Sequence, residues 1–141
     1  MITIERSYAI ERNDFTKAGE VSSEIKKIMK QVGVEPEIIR RVSVAAYETE
    51  MNIIIHSHGG TIDFMITPEY IKLVACDRGP GIEDIELAMK KGYSTAPQNV
   101  RELGFGAGMG LPNIKRCSDE FAIESVYKSH TKLTLLFNQS L

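Results

Sequence analysis

Three clusters in the sequence carry residue types that could do chemistry. The first is the run Tyr47-Glu48-Thr49-Glu50-Met51-Asn52. On a helix, Glu48 and Asn52 lie one turn apart on a common face, and His56 extends that face by another turn. Glu48 in such a setting suits a general base, and Asn52 offers a carbonyl oxygen to a hard cation such as Mg²⁺. A helix end carrying solvated polar residues explains the same pattern. At about 100° per residue, Glu50 points to nearly the opposite side. The expectation there is a solvated or locally paired charge.

The second cluster is Ala75-Cys76-Asp77-Arg78-Gly79-Pro80-Gly81. An apolar strand runs directly into Asp77, and Gly79 and Gly81 allow another group to approach the backbone. An acceptor-only carboxylate suits recognition of an exocyclic amine, such as that of adenine. The same residues make good turn chemistry, so both readings stay open. The third cluster, RELGFGAGMGLPNIKR from Arg101 to Arg116, sets Gly104, Gly106, Gly108 and Gly110 at alternate positions ahead of a helix. No lysine follows Gly110, which excludes a Walker-type phosphate loop. Either this is a flexible surface loop, or it is a hinge presenting N–H groups to phosphates at the helix start near Leu111. Lys90, Lys91 and Arg101 read as solvated surface cations.

The elements that must position these clusters are written in the periodicity. Ile2, Ile4, Tyr8 and Ile10 alternate along a first strand, with Arg6 interrupting. Phe15, Ala18, Val21, Ile25, Ile28, Met29 and Val32 recur at helical spacing, with Asn13 or Asp14 as cap and Gly33 as stop. Pro36 suits the first turn of a second helix running to His56, apolar over most of its circumference and therefore largely buried. TIDFMIT and YIKLVAC flank PE as a hairpin. EDIELAMKKG reads as a short helix, YSTAPQNVREL as irregular and LPNIKRC as a helix. EFAIESVY and TKLTLLF, with alternating Phe121, Ile123, Leu133, Leu135 and Phe137, close the chain as strands. The order βααββ, a loop-rich middle, then αββ predicts one α+β domain over residues 1–141. It would be a two-layer sandwich of a mixed, mostly antiparallel sheet with helices on one face.

Composition narrows the function classes. Hydrophobic residues make up 43% and charged residues 26%, with a net charge of −2. That is an ordinary globular mix, able to bury a core, without the basic character that polyanions require. No nucleic-acid and no membrane partner is expected. Cys76 and Cys117 have neither disulfide nor metal-ligand spacing and read as small buried hydrophobes in a reducing compartment. The charged N-terminus has no signal-peptide pattern, and no run approaches the roughly 18–20 apolar residues of a membrane span. A cytoplasmic location is expected.

Taken together, the clusters resemble the GHKL, or Bergerat-fold, ATPase superfamily, also called histidine-kinase-like ATPases. That family carries an N box on a helix, then D-x-G-x-G, then a glycine-rich stretch behind a lid, then a threonine in a late strand. Glu48 to Asn52, Asp77 to Gly81, Gly104 to Gly110 and SHTKLTL occur here in that order and span essentially the whole chain. The E-x-x-x-N-x-x-x-H spacing and the small size are similar to the stand-alone anti-sigma regulatory factors and serine/threonine kinases of bacterial partner-switching systems. No phosphoacceptor-histidine helix pair and no transducer domain is expected.

The resemblance implies an ATP-dependent, Mg²⁺-dependent serine/threonine protein kinase acting on a small antagonist of the STAS type. In that scheme Glu48 polarises the attacking hydroxyl and Asn52 binds Mg²⁺. Asp77 accepts from the adenine amino group, and Gly79 and Gly81 line base and ribose. Gly104, Gly106, Gly108, Gly110 and Leu111 shape the lid and contact phosphates, and Thr131 helps to hold adenine. The family usually has glycine just before that threonine, whereas this chain has His130. A nucleotide-binding anti-sigma factor that holds a sigma factor with little or no turnover is the alternative. An ATP hydrolase is a third reading, and a homodimer is compatible with the family.

Overall fold

The computed structural model describes residues 3–79, 89, 110–126 and 129–139. Strand β1 (Ile4–Ile10) is followed by a short 3-10 turn (Phe15–Lys17) and helices α1 (Glu20–Gln31) and α2 (Pro36–His56). Strands β2 (Gly60–Ile66) and β3 (Tyr70–Arg78) come next, then α3 (Gly110–Cys117), β4 (Glu120–Val126) and β5 (His130–Asn138). The five strands form one sheet in the order β1-β2-β3-β5-β4, and every described pairing is antiparallel.

Side-chain alternation decides which face is covered. Ile62, Phe64 and Ile66 of β2, Ile71, Leu73 and Ala75 of β3, and Leu133, Leu135 and Phe137 of β5 are all buried. Ile25 and Met29 of α1, Val42, Ala45, Ala46, Ile53 and Ile54 of α2, and Ile114 of α3 complete the same core. The helices therefore lie on one face of the sheet, as the alternation predicts. Each fully buried branched or aromatic side chain contributes about 1.5–3 kcal/mol to holding the layers together. α2 is the central helix, packed against α1 on one side and α3 on the other. It keeps a solvent stripe at Val44 and Tyr47.

The PE hairpin forms where the periodicity places it. Thr67 closes the turn: its N–H donates to the Tyr70 carbonyl at 2.9 Å, and its hydroxyl accepts from the Tyr70 N–H at 3.0 Å. α1 also stops as expected. Gly33, at φ 80°, follows the last turn, and the N–H groups of Gly33 and Val34 bond the carbonyls of Lys30 and Met29. This is the glycine-terminated end that satisfies otherwise orphaned carbonyls.

Three expectations are corrected. α1 does not begin at Asn13 or Asp14, because the backbone turns left-handed at Gly19 (φ 92°) and the helix starts at Glu20. Glu50 is not a solvated charge. It is 2% exposed, and its carboxylate accepts from the N–H groups of Gly19 (3.1 Å), Val21 (3.3 Å) and Ser22 (3.1 Å). A carboxylate from α2 thus caps the N-terminus of α1, where unpaired N–H groups and the helix dipole both favour negative charge. Cys76 is exposed, on the face of the sheet away from the helices, whereas Cys117 is buried as expected; both are free thiols.

Candidate functional site

The helix-facing side of the sheet is built from rows set by strand register. One row is Phe64, Leu73, Leu135 and Phe121, and the next is Ile62, Ala75, Leu133 and Ile123. The row after that is Gly60, Asp77, Thr131 and Ser125. The apolar layer therefore ends in a polar row at one end of the sheet. Asp77 and Thr131, which the sequence holds 54 positions apart, become direct cross-strand partners, and the Thr131 N–H donates to Asp77 Oδ1 at 3.2 Å. Thr131 is buried, and its hydroxyl lies 2.8 Å from that of Ser125. His130 turns outward against the Ser129 hydroxyl at 3.0 Å and leaves Thr131 in the row.

Asp77 is only partly open to water. Burial pushes its carboxyl from 3.8 up to about 6, against smaller opposing pulls from the Thr131 N–H and the His130 side chain. Gly60 makes this approach feasible: a Cβ there would lie 2.8 Å from the Asp77 Cα, and also against the Cys76 carbonyl. The lack of a side chain at position 60 is thus what seats β2 against the Asp77 end of β3. Gly79 follows at φ 22°, and its N–H bonds the Ser129 carbonyl.

The C-terminal end of α2 reaches the same region. The His58 N–H donates to the carbonyls of Arg78 (2.9 Å) and Gly79 (3.2 Å), and the Arg78 N–H donates to Gly59 at 3.0 Å. Ser57 ends the helix by donating its hydroxyl to the Ile53 carbonyl at 2.7 Å and accepting from the Gly59 N–H at 3.0 Å. Glu48, Asn52 and His56 climb the side of α2 opposite Glu50, and all three are half-buried. At 1.5 Å per residue, Glu48 stands about 12 Å up the helix from His56. The two carboxylates of the candidate site, Glu48 and Asp77, thus belong to different regions of it.

Glu48 faces α3. Burial raises its carboxyl above the usual range, and a hydrogen bond from the Asn113 side chain partly offsets this. Asn113 is in turn held by the Arg116 guanidinium, one turn further along α3. Leu111 packs against the core beside this contact, while its N–H belongs to the first turn of α3, where intrahelical partners are lacking.

The sequence motifs give no role to Asn113, Ser125 or Gly60. A signal existed for Ser125, which continues the alternation of Phe121 and Ile123, and for Gly60, one of two adjacent glycines at a strand start. None existed for Asn113, whose partner lies on a different helix. Gly81, Gly104, Gly106, Gly108, Lys90, Lys91 and Arg101 lie outside the described residues, as does the EDIELAMKKG helix apart from Met89. Gly110 is the first residue of α3. Among the described residues, no cluster of three or more His, Cys, Asp or Glu side chains is arranged to hold a metal ion, and no helix is long and apolar enough to cross a membrane.

An antiparallel sheet covered on one face by helices, with a half-buried aspartate at a strand end, defines a two-layer α+β domain. The chain belongs to the histidine kinase-like ATPase domain family, whose model matches residues 12–137. The family implies ATP binding, and the superfamily resemblance read from the motifs is borne out. The serine/threonine-protein kinase RsbT of Bacillus subtilis is 31% identical over 112 residues, covering 77% of this chain and 78% of that protein. The anti-sigma F factor of Clostridium novyi is 28% identical over 117 residues, covering 79% and 78% respectively. The solved SiaB–SiaC complex from Pseudomonas aeruginosa contains a chain that matches with a TM-score of 0.63 at 13% identity. That match covers 94% of this chain and 88% of the other, and it bears on the fold alone.

Proposed function

We propose that this protein is an ATP-dependent serine/threonine kinase of a bacterial partner-switching system, acting in the cytoplasm on a STAS-type antagonist protein. The observation that carries the reading is the half-buried Glu48 carboxylate, set apart from Asp77 on a helix that reaches the Asp77 end of the sheet. A nucleotide has its base and its reacting phosphate at opposite ends, so a kinase needs two such separated groups. The resemblance to the RsbT kinase supports the same reading.

The roles follow from the chemistry of each group. Asp77, with Thr131 beside it, recognises the adenine amino group, and Gly79 and Gly81 leave room for base and ribose. Asn52 offers one carbonyl oxygen, and Mg²⁺ commonly takes only one or two protein ligands together with substrate phosphates, so the residue present fits that ion. When bound, Mg²⁺ supplies neutralisation of phosphate charge. Gly104, Gly106, Gly108, Gly110 and the Leu111 N–H contact the phosphates. Glu48 accepts the proton of the incoming serine or threonine hydroxyl. That oxygen bonds the γ-phosphorus as the bond to the β–γ bridging oxygen breaks, and ADP leaves. Its raised pKa makes the ionised carboxylate a better base than a solvated one. Positioning and charge neutralisation supply the rest, as phosphoryl transfer requires.

The second reading is a nucleotide-dependent anti-sigma factor, favoured by the resemblance to anti-sigma F factors. Incubating the protein with labelled ATP, Mg²⁺ and a purified STAS-domain protein from the same organism separates the two. The kinase reading expects phosphoserine or phosphothreonine on that protein. A stable complex with a sigma factor and no label on any STAS protein favours the second reading.

A further inference from the structure

The polar row at the end of the sheet has a direction, set by where its hydroxyl protons go. Asp77 is the cross-strand partner of Thr131 on one side, and Ser125 of β4 is its partner on the other. The Ser125 hydroxyl has one proton, and it lies 3.2 Å from the His130 carbonyl oxygen, which can only accept. The same hydroxyl lies 2.8 Å from that of Thr131. With the Ser125 proton on the main-chain carbonyl, Thr131 is the donor in this shorter contact. The Thr131 oxygen then keeps only lone pairs for any other group. Asp77 is in the same condition: its Oδ1 accepts from the Thr131 N–H at 3.2 Å, and its Oδ2 takes no hydrogen bond among the described residues. Directly paired residues stand about 4.5–5.5 Å apart at Cβ, so one small group can reach both the carboxylate and the hydroxyl oxygen.

We infer that Ser125 is a positioning residue that sets base specificity: it holds the Thr131 hydroxyl as an acceptor beside the Asp77 carboxylate, so that the pair takes a purine with an exocyclic amine and rejects one with a carbonyl there. This rests on the adenine recognition proposed for Asp77. An amine brings two N–H donors to two acceptors, whereas a carbonyl meets lone pairs on both sides. Ser125 touches no nucleotide in this scheme and acts through Thr131. Without the Ser125 hydroxyl, that of Thr131 can turn and donate into the site, and a carbonyl gains a partner.

The test compares calorimetric affinities of the full chain for ATP and for inosine triphosphate, whose base has a carbonyl in place of the adenine amine, both with Mg²⁺. The parent should prefer ATP. Ser125→Ala should narrow the ratio of the two affinities by about tenfold, the worth of one hydrogen bond, chiefly by tightening inosine triphosphate. A merely structural loss would weaken both nucleotides together. Ser125→Thr keeps the hydroxyl and should keep the parent ratio. In a Thr131→Val background Ser125→Ala should leave the ratio unmoved, because no hydroxyl remains to turn. An unmoved ratio in Ser125→Ala, or equal weakening of both nucleotides, overturns the inference and leaves adenine recognition by Asp77 standing. A parent that binds the two nucleotides alike removes that recognition, and the role of Ser125 with it. Ser125→Cys keeps the test open if Ser125→Ala does not fold; a thiol is a weak donor, so the ratio should narrow in the same direction.

Discussion

At the scale of single residues, Asp77, the residue proposed to recognise adenine, carries a cost in stability. Its carboxyl titrates at about 6 in the folded chain against 3.8 in an unfolded one. Between those values the folded state binds more protons, so this group's contribution is fully present below about pH 4 and is lost as pH rises through about 6. Asp77→Asn retains an acceptor for the Thr131 N–H and removes the desolvated charge. It should raise stability at pH 7.5 by about 1 kcal/mol, less than the full linkage value because water screens the open side. Thermal unfolding at pH 7.5 and pH 4 checks this, with the gain confined to the higher pH. The same substitution should weaken ATP binding markedly, because it turns a donor toward the adenine amine. In calorimetry the affinity of the parent relative to Asp77→Asn should fall as pH drops through about 6. A constant ratio would argue against adenine recognition by the carboxylate.

At the scale of elements, two devices carry predictions. The Glu50 carboxylate fixes the start of α1 through bonds to Gly19, Val21 and Ser22. Glu50→Ala leaves those N–H groups without their partner and should cost about 3 kcal/mol, with Glu50→Gln milder because one strong acceptor survives. Denaturant unfolding gives the magnitude, and faster hydrogen exchange at residues 19–22 locates it. Gly60 sets the approach of β2 to β3, and Gly60→Ala pushes a methyl group onto backbone that cannot yield. A loss of about 1–3 kcal/mol is expected, together with weaker ATP binding because Asp77 shifts with its strand. Unchanged ATP affinity would separate the glycine from the site.

The elements were also where the sequence was most and least legible. The strands, the hairpin, α2 and the Gly33 stop follow from local periodicity and turn chemistry, which a single pass along the chain can read. The start of α1 does not, because its cap arrives from a carboxylate 28 to 31 residues away while Asn13 and Asp14 offer a plausible local one. Glu50 looked like a surface charge for the same reason: its partners are backbone N–H groups, which leave no mark in the sequence. Motif spacing put Asp77 and Thr131 in one family pattern, and strand register makes them neighbours. Asn113 was invisible because a contact between two helices has no spacing to read.

At the scale of the whole molecule, the sandwich divides its labour. The sheet end with Asp77 and Thr131 recognises, in the proposed scheme, one end of the nucleotide, while α2 and α3 carry the group that acts at the other. Binding and chemistry should therefore be separable. The most direct measurement is single-turnover transfer from labelled ATP to a purified STAS-type partner, comparing the parent with Glu48→Gln while ATP binding is followed in parallel. Glu48→Gln should bind ATP with near-parent affinity and transfer phosphate about 10²–10⁴-fold more slowly, the loss typical of removing a general base. Transfer by Glu48→Gln at the parent rate would show that Glu48 is not the base, and a parent protein that binds ATP and partner yet never labels it would show that the protein is not a kinase for that partner.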